Sequence, residues 1–413
     1  MESRTHAQLI KEYALRIGFD DCGIARAEAL EAEEEYLTNW LQNGYSADMD
    51  YMAKNREKRI DPRRLMEGAK SVICLLANYK PAQWQDCKYP QIAAYAYGAD
   101  YHIVLKERLQ RLQAYITGCR LPADGCLLPA DSRKMSPDGC RLPADGCKMS
   151  PDGCRMPADG RKMSPDGCRL PADSRKMSPD DCRLPSSDFH RPPAVRLFVD
   201  TAPILERAWA VRAGLGWIGK SSLLISPHFG PFTFIAILLT DLELESDSPM
   251  AAQCGSCTQC LKACPTGALS TPYIVDARRC IAYHTIENRG PCGVDSRPYL
   301  FGCDLCIRAC PHGKVTPTTT LFPPLPVCAQ TDLHKSPHTE LSNSQQTKLP
   351  KPPLPDLPNC AQTDLPSPLK LTVNEWMALS PDNFNSYFAG SPLQRAGLSK
   401  LQNTLQTWNG KQK

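Results

Sequence analysis

Cys254-Gly-Ser-Cys257-Thr-Gln-Cys260-Leu-Lys-Ala-Cys264-Pro265 and, further along, Cys303-Asp-Leu-Cys306-Ile-Arg-Ala-Cys310-Pro311 decide the character of this chain. The first run has the spacing of bacterial ferredoxins, in which three thiolates hold one 4Fe-4S cube and the fourth reaches across to a second. Two cubes need eight thiolates, and the two motifs with the isolated Cys280 supply them. Crossing the fourth thiolate of each run puts Cys254, Cys257, Cys260 and Cys310 on one cluster. Cys280, Cys303, Cys306 and Cys264 then fall on the other. Pro265 and Pro311 turn the chain away from each cube. A cysteine at every third position followed by Cys-Pro fits tetrahedral zinc poorly. Disulfides are not expected, because the start, Met1 to Ile10, carries no apolar export core.

The chain has 413 residues, 21 of them Cys and 38 Pro, so many of both lie elsewhere. Seven cysteines and ten prolines fall in residues 118–187, ten tandem seven-residue units alternating GCRLPAD-like and SRKMSPD-like copies. A seven-residue period suggests a coiled coil. A proline in every unit forbids one, at about 3 kcal/mol each inside a helix. Without aromatics and with its charges nearly cancelled, the repeat cannot offset its chain entropy, and a disordered insertion is expected. One Cys per unit is the wrong spacing for a chelate loop. Residues 315–369, with the near-duplicate Cys328-Ala-Gln-Thr-Asp-Leu and Cys360-Ala-Gln-Thr-Asp-Leu, read as a Pro-rich linker. Cys22, Cys74 and Cys87 are expected as small buried residues, and Cys292 is surplus to the cluster scheme.

What remains is an α+β protein of α/β type over residues 1–117 and 188–250, a ferredoxin-like domain at 251–314, and a short helical segment at 370–413. Ile10, Tyr13, Ala14 and Ile17 line a helix that Gly18 closes, and Leu105, Leu109, Leu112 and Ile116 line another. Strands are expected at Cys22–Ala25, Ser71–Leu76, Arg196–Val199 and Phe232–Thr240. The repeat thus interrupts one domain between a helix and a strand. With 42% apolar residues the chain can bury a real core, and its strongest apolar run, Phe232 to Leu239, is too short to span a bilayer. A net charge of +4 says little about nucleic acid. Clusters move single electrons and seldom make or break bonds, so a large preceding domain implies a reaction centre there.

Gly214-Leu-Gly216-Trp217-Ile-Gly219-Lys220 spells a phosphate-loop pattern, which must leave a strand and open a helix. Here the order is reversed. Pro203 to Ala213 reads as the helix, with Gly214 stopping it, and Ser221 to Ile225 as a strand. Arg59-Ile-Asp61-Pro62, Asp100-Tyr101-His102, Val199-Asp200-Thr201-Ala202-Pro203-Ile204-Leu205-Glu206-Arg207-Ala208, the Gly214–Lys220 stretch and both Cys-Pro motifs occur in this order. Together they resemble the epoxyqueuosine reductase family, cobalamin-dependent iron–sulfur enzymes of tRNA modification akin to reductive dehalogenases. The resemblance covers nearly everything but the two low-complexity segments and includes Gly390-Ser391-Pro392-Leu-Gln-Arg395. The chain lacks the helical repeats of longer members. The family's Cys-Pro-Trp-Asn is here Cys310-Pro311-His312-Gly313.

The resemblance implies reduction of the epoxide of epoxyqueuosine, at the tRNA wobble position, to the alkene of queuosine. It implies cobalamin as the reductant and the clusters as its electron supply. It places the proton donor at Asp200 and cofactor-pocket or phosphate contacts at Arg59, Tyr101, His102, Lys220 and Asp304. Phe198, Val199 and Pro203 suggest an apolar setting that would raise the Asp200 pKa, whereas a helix opening near Pro203 would lower it. Asp200 as a simple helix cap is the structural alternative. The partners implied are tRNA carrying epoxyqueuosine and an external low-potential electron donor, for a monomer in the reducing cytoplasm, away from membranes. Competing readings are a corrinoid dehalogenase-like reductase of a small molecule and a two-cluster electron carrier without catalysis. Deleting residues 118–187 is expected to leave turnover of epoxyqueuosine-containing tRNA equal to that of the full chain. A large loss in that assay would give the repeat a role.

Overall fold

The computed structural model describes residues 4–118, 191–314 and 368–410. The heptapeptide repeat and the Pro-rich linker lie, but for their margins, outside the described residues. Residues Met1–Gln113 and Pro193–Lys413 form one compact unit. Of the other, Ala114–Pro192, only the two margins are described.

The first helix, α1 (His6–Arg16), opens on a capping box: Thr5 Oγ1 accepts from the Gln8 amide and Gln8 Oε1 from the Thr5 amide. It buries Ala7, Ile10 and Ala14 and leads through Gly18 into β1 (Asp21–Arg26). After α2 (Glu31–Gln42) and α3 (Arg56–Ile60) comes β2 (Ser71–Asn78), with all eight residues buried. The short β3 (Gln91–Ile92) precedes α4 (Tyr101–Thr117). Beyond the repeat lie β4 (Val195–Phe198), α5 (Glu206–Arg212), β5 (Trp217–Ile218), β6 (Leu224–Ile225) and β7 (Thr233–Thr240).

The main sheet has the order β1-β2-β7-β4, and every neighbouring pair in it is antiparallel. Of the two sheet types considered from sequence, this is the α+β one. Strands β2 and β7 occupy the centre, which is why their sequences are nearly unbroken aliphatic runs. One core joins Val72, Cys74 and Leu76 of β2 to Leu37 of α2 and to Ala208, Trp209 and Ala210 of α5. The strands expected at Cys22–Ala25, Ser71–Leu76, Arg196–Val199 and Phe232–Thr240 stand as β1, β2, β4 and β7. The expected helix at Pro203–Ala213 is shorter, because α5 begins only at Glu206. The intervening Asp200–Leu205 stretch bends so that Glu206 can reach back to the Asp200 amide.

The cysteine-rich part contains α6 (Gln259–Lys262), β8 (Tyr299–Phe301) and α7 (Leu305–Arg308). Strand β8 pairs in parallel with β3. The helical segment expected at the C-terminal end comprises four helices: α8 (Val373–Ala378), α9 (Pro381–Tyr387), α10 (Pro392–Ala396) and α11 (Leu398–Gly410). Pro381 and Pro392 occupy first-turn positions, where proline starts a helix and does not break it. These helices build a second core with Ile92, Leu300 and Phe301, centred on Trp376, which stacks on Phe388 at 5.1 Å. Trp376→Ala is expected to destabilise the protein by about 3–5 kcal/mol in urea unfolding. A change below about 1 kcal/mol would mean this second core is dispensable.

Candidate active site and cluster sites

Cysteine placement comes first. Cys254 and Cys257 from the loop before α6, Cys260 within α6, and Cys310 just beyond α7 line one cavity beside Lys220 and His312. Burial pushes the Cys310 thiol up, and the neighbouring Cys254, Cys260 and Cys257 add to it. The other four gather separately. Burial pushes Cys306 well up, helped by Cys303, Cys280 and Cys264, and pushes Cys303 up to about 12. Bare thiolates packed this way repel one another, so positively charged iron is what would make the arrangement stable. No group of three or more His, Cys, Asp or Glu among the described residues converges on a point suited to a single metal ion. A four-iron cube is gripped at its corners by thiolates that stand apart.

Two side chains fix these loops to the body. Lys220 Nζ donates to the Gly255 carbonyl at 2.6 Å and to that of Cys257 at 2.9 Å. It sits on a hairpin turn between β5 and β6, closed by the Gly219 amide donating to the Leu223 carbonyl. Gly216 is needed here because a side chain would run into the Ile225 carbonyl. The Gly-rich stretch is thus a helix exit and a hairpin, as the order of elements implied, with Ser221 and Ser222 in the turn and the strand confined to Leu224–Ile225. Asp304, buried between two of the cysteines, accepts from the Ala94 amide at 2.6 Å. Burial pushes its carboxyl up to about 6, against the pull of that amide. His312, standing in the place of the family's Trp, meets the Trp217 ring edge-on at 5.0 Å.

Asp200 follows β4 in a left-handed backbone conformation (φ 49°), which a non-glycine residue adopts only under constraint. Two contacts supply it. Glu206 Oε1 accepts from the Asp200 amide at 2.7 Å, and the Tyr101 hydroxyl donates to Asp200 Oδ2 at 2.6 Å. Tyr101 is itself held flat against Phe234, with ring centres 4.2 Å apart. The Asp200 side chain is 59% exposed, so the apolar burial expected from its neighbours is not there. The helix opens six residues later, so Asp200 does not cap it. His102 Nε2 lies 3.7 Å from Asp200 Oδ2, while its Nδ1 is 2.8 Å from Asp100 Oδ1. Arg59 is buried, donates through Nη2 to the Tyr51 carbonyl at 2.8 Å, and has no partner for Nε among the described residues.

Four participants were not singled out as site residues from sequence. Glu206 is pushed up to about 8 by burial and by the facing Asp200 charge. Glu287, from the cysteine-rich part, is likewise raised by burial and by Asp200. Asp100 and Arg395 pair at 3.3 Å. Glu206, Asp100 and Arg395 belong to motifs quoted above, which is a signal. Glu287 offered none, since only folding brings it near Asp200.

Among the described residues no helix is long and apolar enough to cross a membrane. Residues 59–126 match a family model described as epoxyqueuosine reductase QueG, DUF1730, and residues 253–313 one described as a 4Fe-4S double cluster binding domain. This chain therefore carries a domain for two 4Fe-4S clusters. An epoxyqueuosine reductase of Cellulophaga algicola is 36% identical over 327 residues, 78% of this chain and 84% of that one. That of Escherichia coli is 33% identical over 324 residues, 76% and 67% of the two chains. A crystal structure of an epoxyqueuosine reductase with an epoxyqueuosine-modified tRNA stem loop shares the fold, with a TM-score of 0.64, 22% identity, and 96% of this chain and 78% of that one covered. On the extent and identity of these sequence matches, the chain belongs to the epoxyqueuosine reductase family.

Proposed function

We propose that this protein reduces the epoxide of epoxyqueuosine in the wobble position of tRNA to the alkene of queuosine. It would act as a cytosolic monomer fed by an external low-potential donor. The observation that carries the reading is an exposed carboxylate in a constrained turn, gripped by a phenol and facing a double-cluster module. The overall change takes two electrons and two protons and releases water. An epoxide oxygen leaves badly as an anion, so a proton donor must stand beside it.

Asp200 is that donor in this reading. Its exposure lets it meet a substrate, and the Tyr101 hydroxyl and the Glu206 contact aim it. The crowding of Glu206 and Glu287 around Asp200 favours keeping a proton in the set. Cobalamin, when bound, would supply a low-potential centre that no side chain can replace. The residues present suit such a group. Arg59 offers a buried guanidinium Nε without a partner among the described residues, and Tyr101 and His102 stand beside Asp200. Lys220 and Asp304, whose polar atoms are engaged by backbone groups, would act by setting the two cysteine loops. The crossed ligation, Cys254, Cys257, Cys260 and Cys310 against Cys264, Cys280, Cys303 and Cys306, accounts for the two thiol groups. A splayed anticodon base would enter at the Asp200 face, with Lys/Arg contacts to phosphates.

Asp200→Asn is expected to keep the iron content and the corrin absorbance after reconstitution while turnover falls by about 10²–10⁴. Normal turnover by that variant would remove the acid assignment. A second expectation concerns Glu206. Its pKa is raised from 4.5 to about 8, so the folded protein holds this proton more tightly than the unfolded chain. The stability it contributes is complete below 4.5 and is lost as pH rises through about 8. Glu206→Gln, which keeps an acceptor for the Asp200 amide, should flatten that decline in urea unfolding measured across the window. Parallel slopes for the two proteins would contradict the burial of this acid.

A further inference from the structure

Arg395 belongs to the C-terminal motif that the proposed chemistry leaves unused. Pro392 and Leu393 of α10 are buried, and the Gly390 carbonyl accepts from the Asp100 amide at 2.6 Å. Gln394 Oε1 accepts from the Gly390 amide. This frame holds without the Arg395 side chain, which projects onto the Asp100–His102 pair. Arg395 Nε lies 3.3 Å from Asp100 Oδ2, and Nη1 lies 3.1 Å from His102 Nε2.

Donor and acceptor rules fix the protons. Burial works to raise the Asp100 carboxyl, but the hydrogen bonds from the His102 ring and amide, with the Arg395 charge, outweigh it and hold it below the ordinary range. Asp100 is therefore an accepting carboxylate, and His102 Nδ1, at 2.8 Å, must carry the hydrogen. A guanidinium only donates, so His102 Nε2 must present its lone pair to Arg395. The imidazole is then neutral. At 3.7 Å, Asp200 Oδ2 stands beyond hydrogen-bond distance of Nε2.

We propose that Arg395 is a positioning residue that keeps His102 neutral and its Nε2 closed to Asp200, leaving Asp200 to work with Tyr101 alone. This rests on the reading of Asp200 as proton donor. Without Arg395, His102 would stand between two carboxylates with Nε2 open. That setting favours imidazolium, and an imidazolium bonded to Asp200 would hold it as a carboxylate that cannot donate.

The test compares Arg395→Gln with the native holoenzyme in single-turnover reduction of epoxyqueuosine tRNA between about pH 6 and about pH 9, a span that brackets ordinary imidazole titration. The groups facing His102 are Asp100 and Tyr101 from the start of α4, Asp200 from the turn after β4, and Arg395. Glu206 and Glu287 face Asp200 and titrate in both proteins, so the ratio of the two profiles isolates the imidazole. The variant should be slower by about ten-fold or more at the acid end, with the gap closing toward the alkaline end and KM for tRNA unchanged. In the double variant with His102→Gln, the ratio to native should no longer depend on pH. A loss equal at every pH, with iron content intact, would reduce Arg395 to support of the fold, and no loss would remove it from the site. Failure of the acid reading shows separately, as turnover retained by Asp200→Asn.

Discussion

A buried carboxylate does what chain connectivity cannot. Electrons stored on clusters are useful only if the cysteine loops stay fixed against the domain that spends them. Asp304 secures the second loop by accepting the Ala94 amide, a bond across 210 positions of sequence. The cost is visible in the acid itself, which burial pushes up to about 6. A charged acceptor satisfied by a backbone donor is worth more than a neutral one, and cutting it would strand a buried polar group. Around it, β8 pairs with β3, and Gly302, in the left-handed region, lies so close to Ala93 that no side chain fits. Lys220 does the same for the first loop with a cation and two carbonyls. One loop is held by an anion, the other by a cation, and both use backbone groups as partners.

The acid site shows a different strategy from the one its neighbours suggested. Phe198 and Val199 are buried, but the chain turns outward at Asp200 and exposes the carboxylate. Two further acids stand beside it. Glu206 and Glu287 both face Asp200, and each is raised by burial first and by Asp200 second. Exposure leaves the Asp200 carboxylate open to an incoming molecule.

How much was legible follows from how local each feature is. The cysteines announce themselves through short, repeated spacings, and in the fold their eight thiols gather as two fours. Strands β2 and β7 declare themselves through burial on both faces. The start of α5 was misplaced because Pro203 looks like a helix opener, while Glu206 is needed at the helix start to reach the Asp200 amide. Pro381 and Pro392 sit in the first turns of α9 and α10, where the fixed φ of proline starts a helix. The partners of Lys220, two loop carbonyls, carry no side-chain signal in the sequence.

Glu287 was illegible for a deeper reason. It ends a π-helical turn, Tyr283–Glu287, that begins just after Cys280. A turn of this width, marked by the Asn288 amide bonding back to the Tyr283 carbonyl, rotates its side chains away from their ordinary helical directions. Tyr283 is pinned at one end by its hydroxyl donating to Asp48 at 3.0 Å. Thr285 is pinned in the middle, accepting from the Gly302 amide at 3.0 Å. With these points held, the last residue of the turn faces Asp200. The segment from Cys280 to Glu287 therefore carries, within eight residues, a thiol that faces Cys264, Cys303 and Cys306 at one end and a carboxyl that faces Asp200 at the other. A regular helix of the same sequence would present Glu287 in another direction, which is why no periodicity analysis could have assigned it to the site.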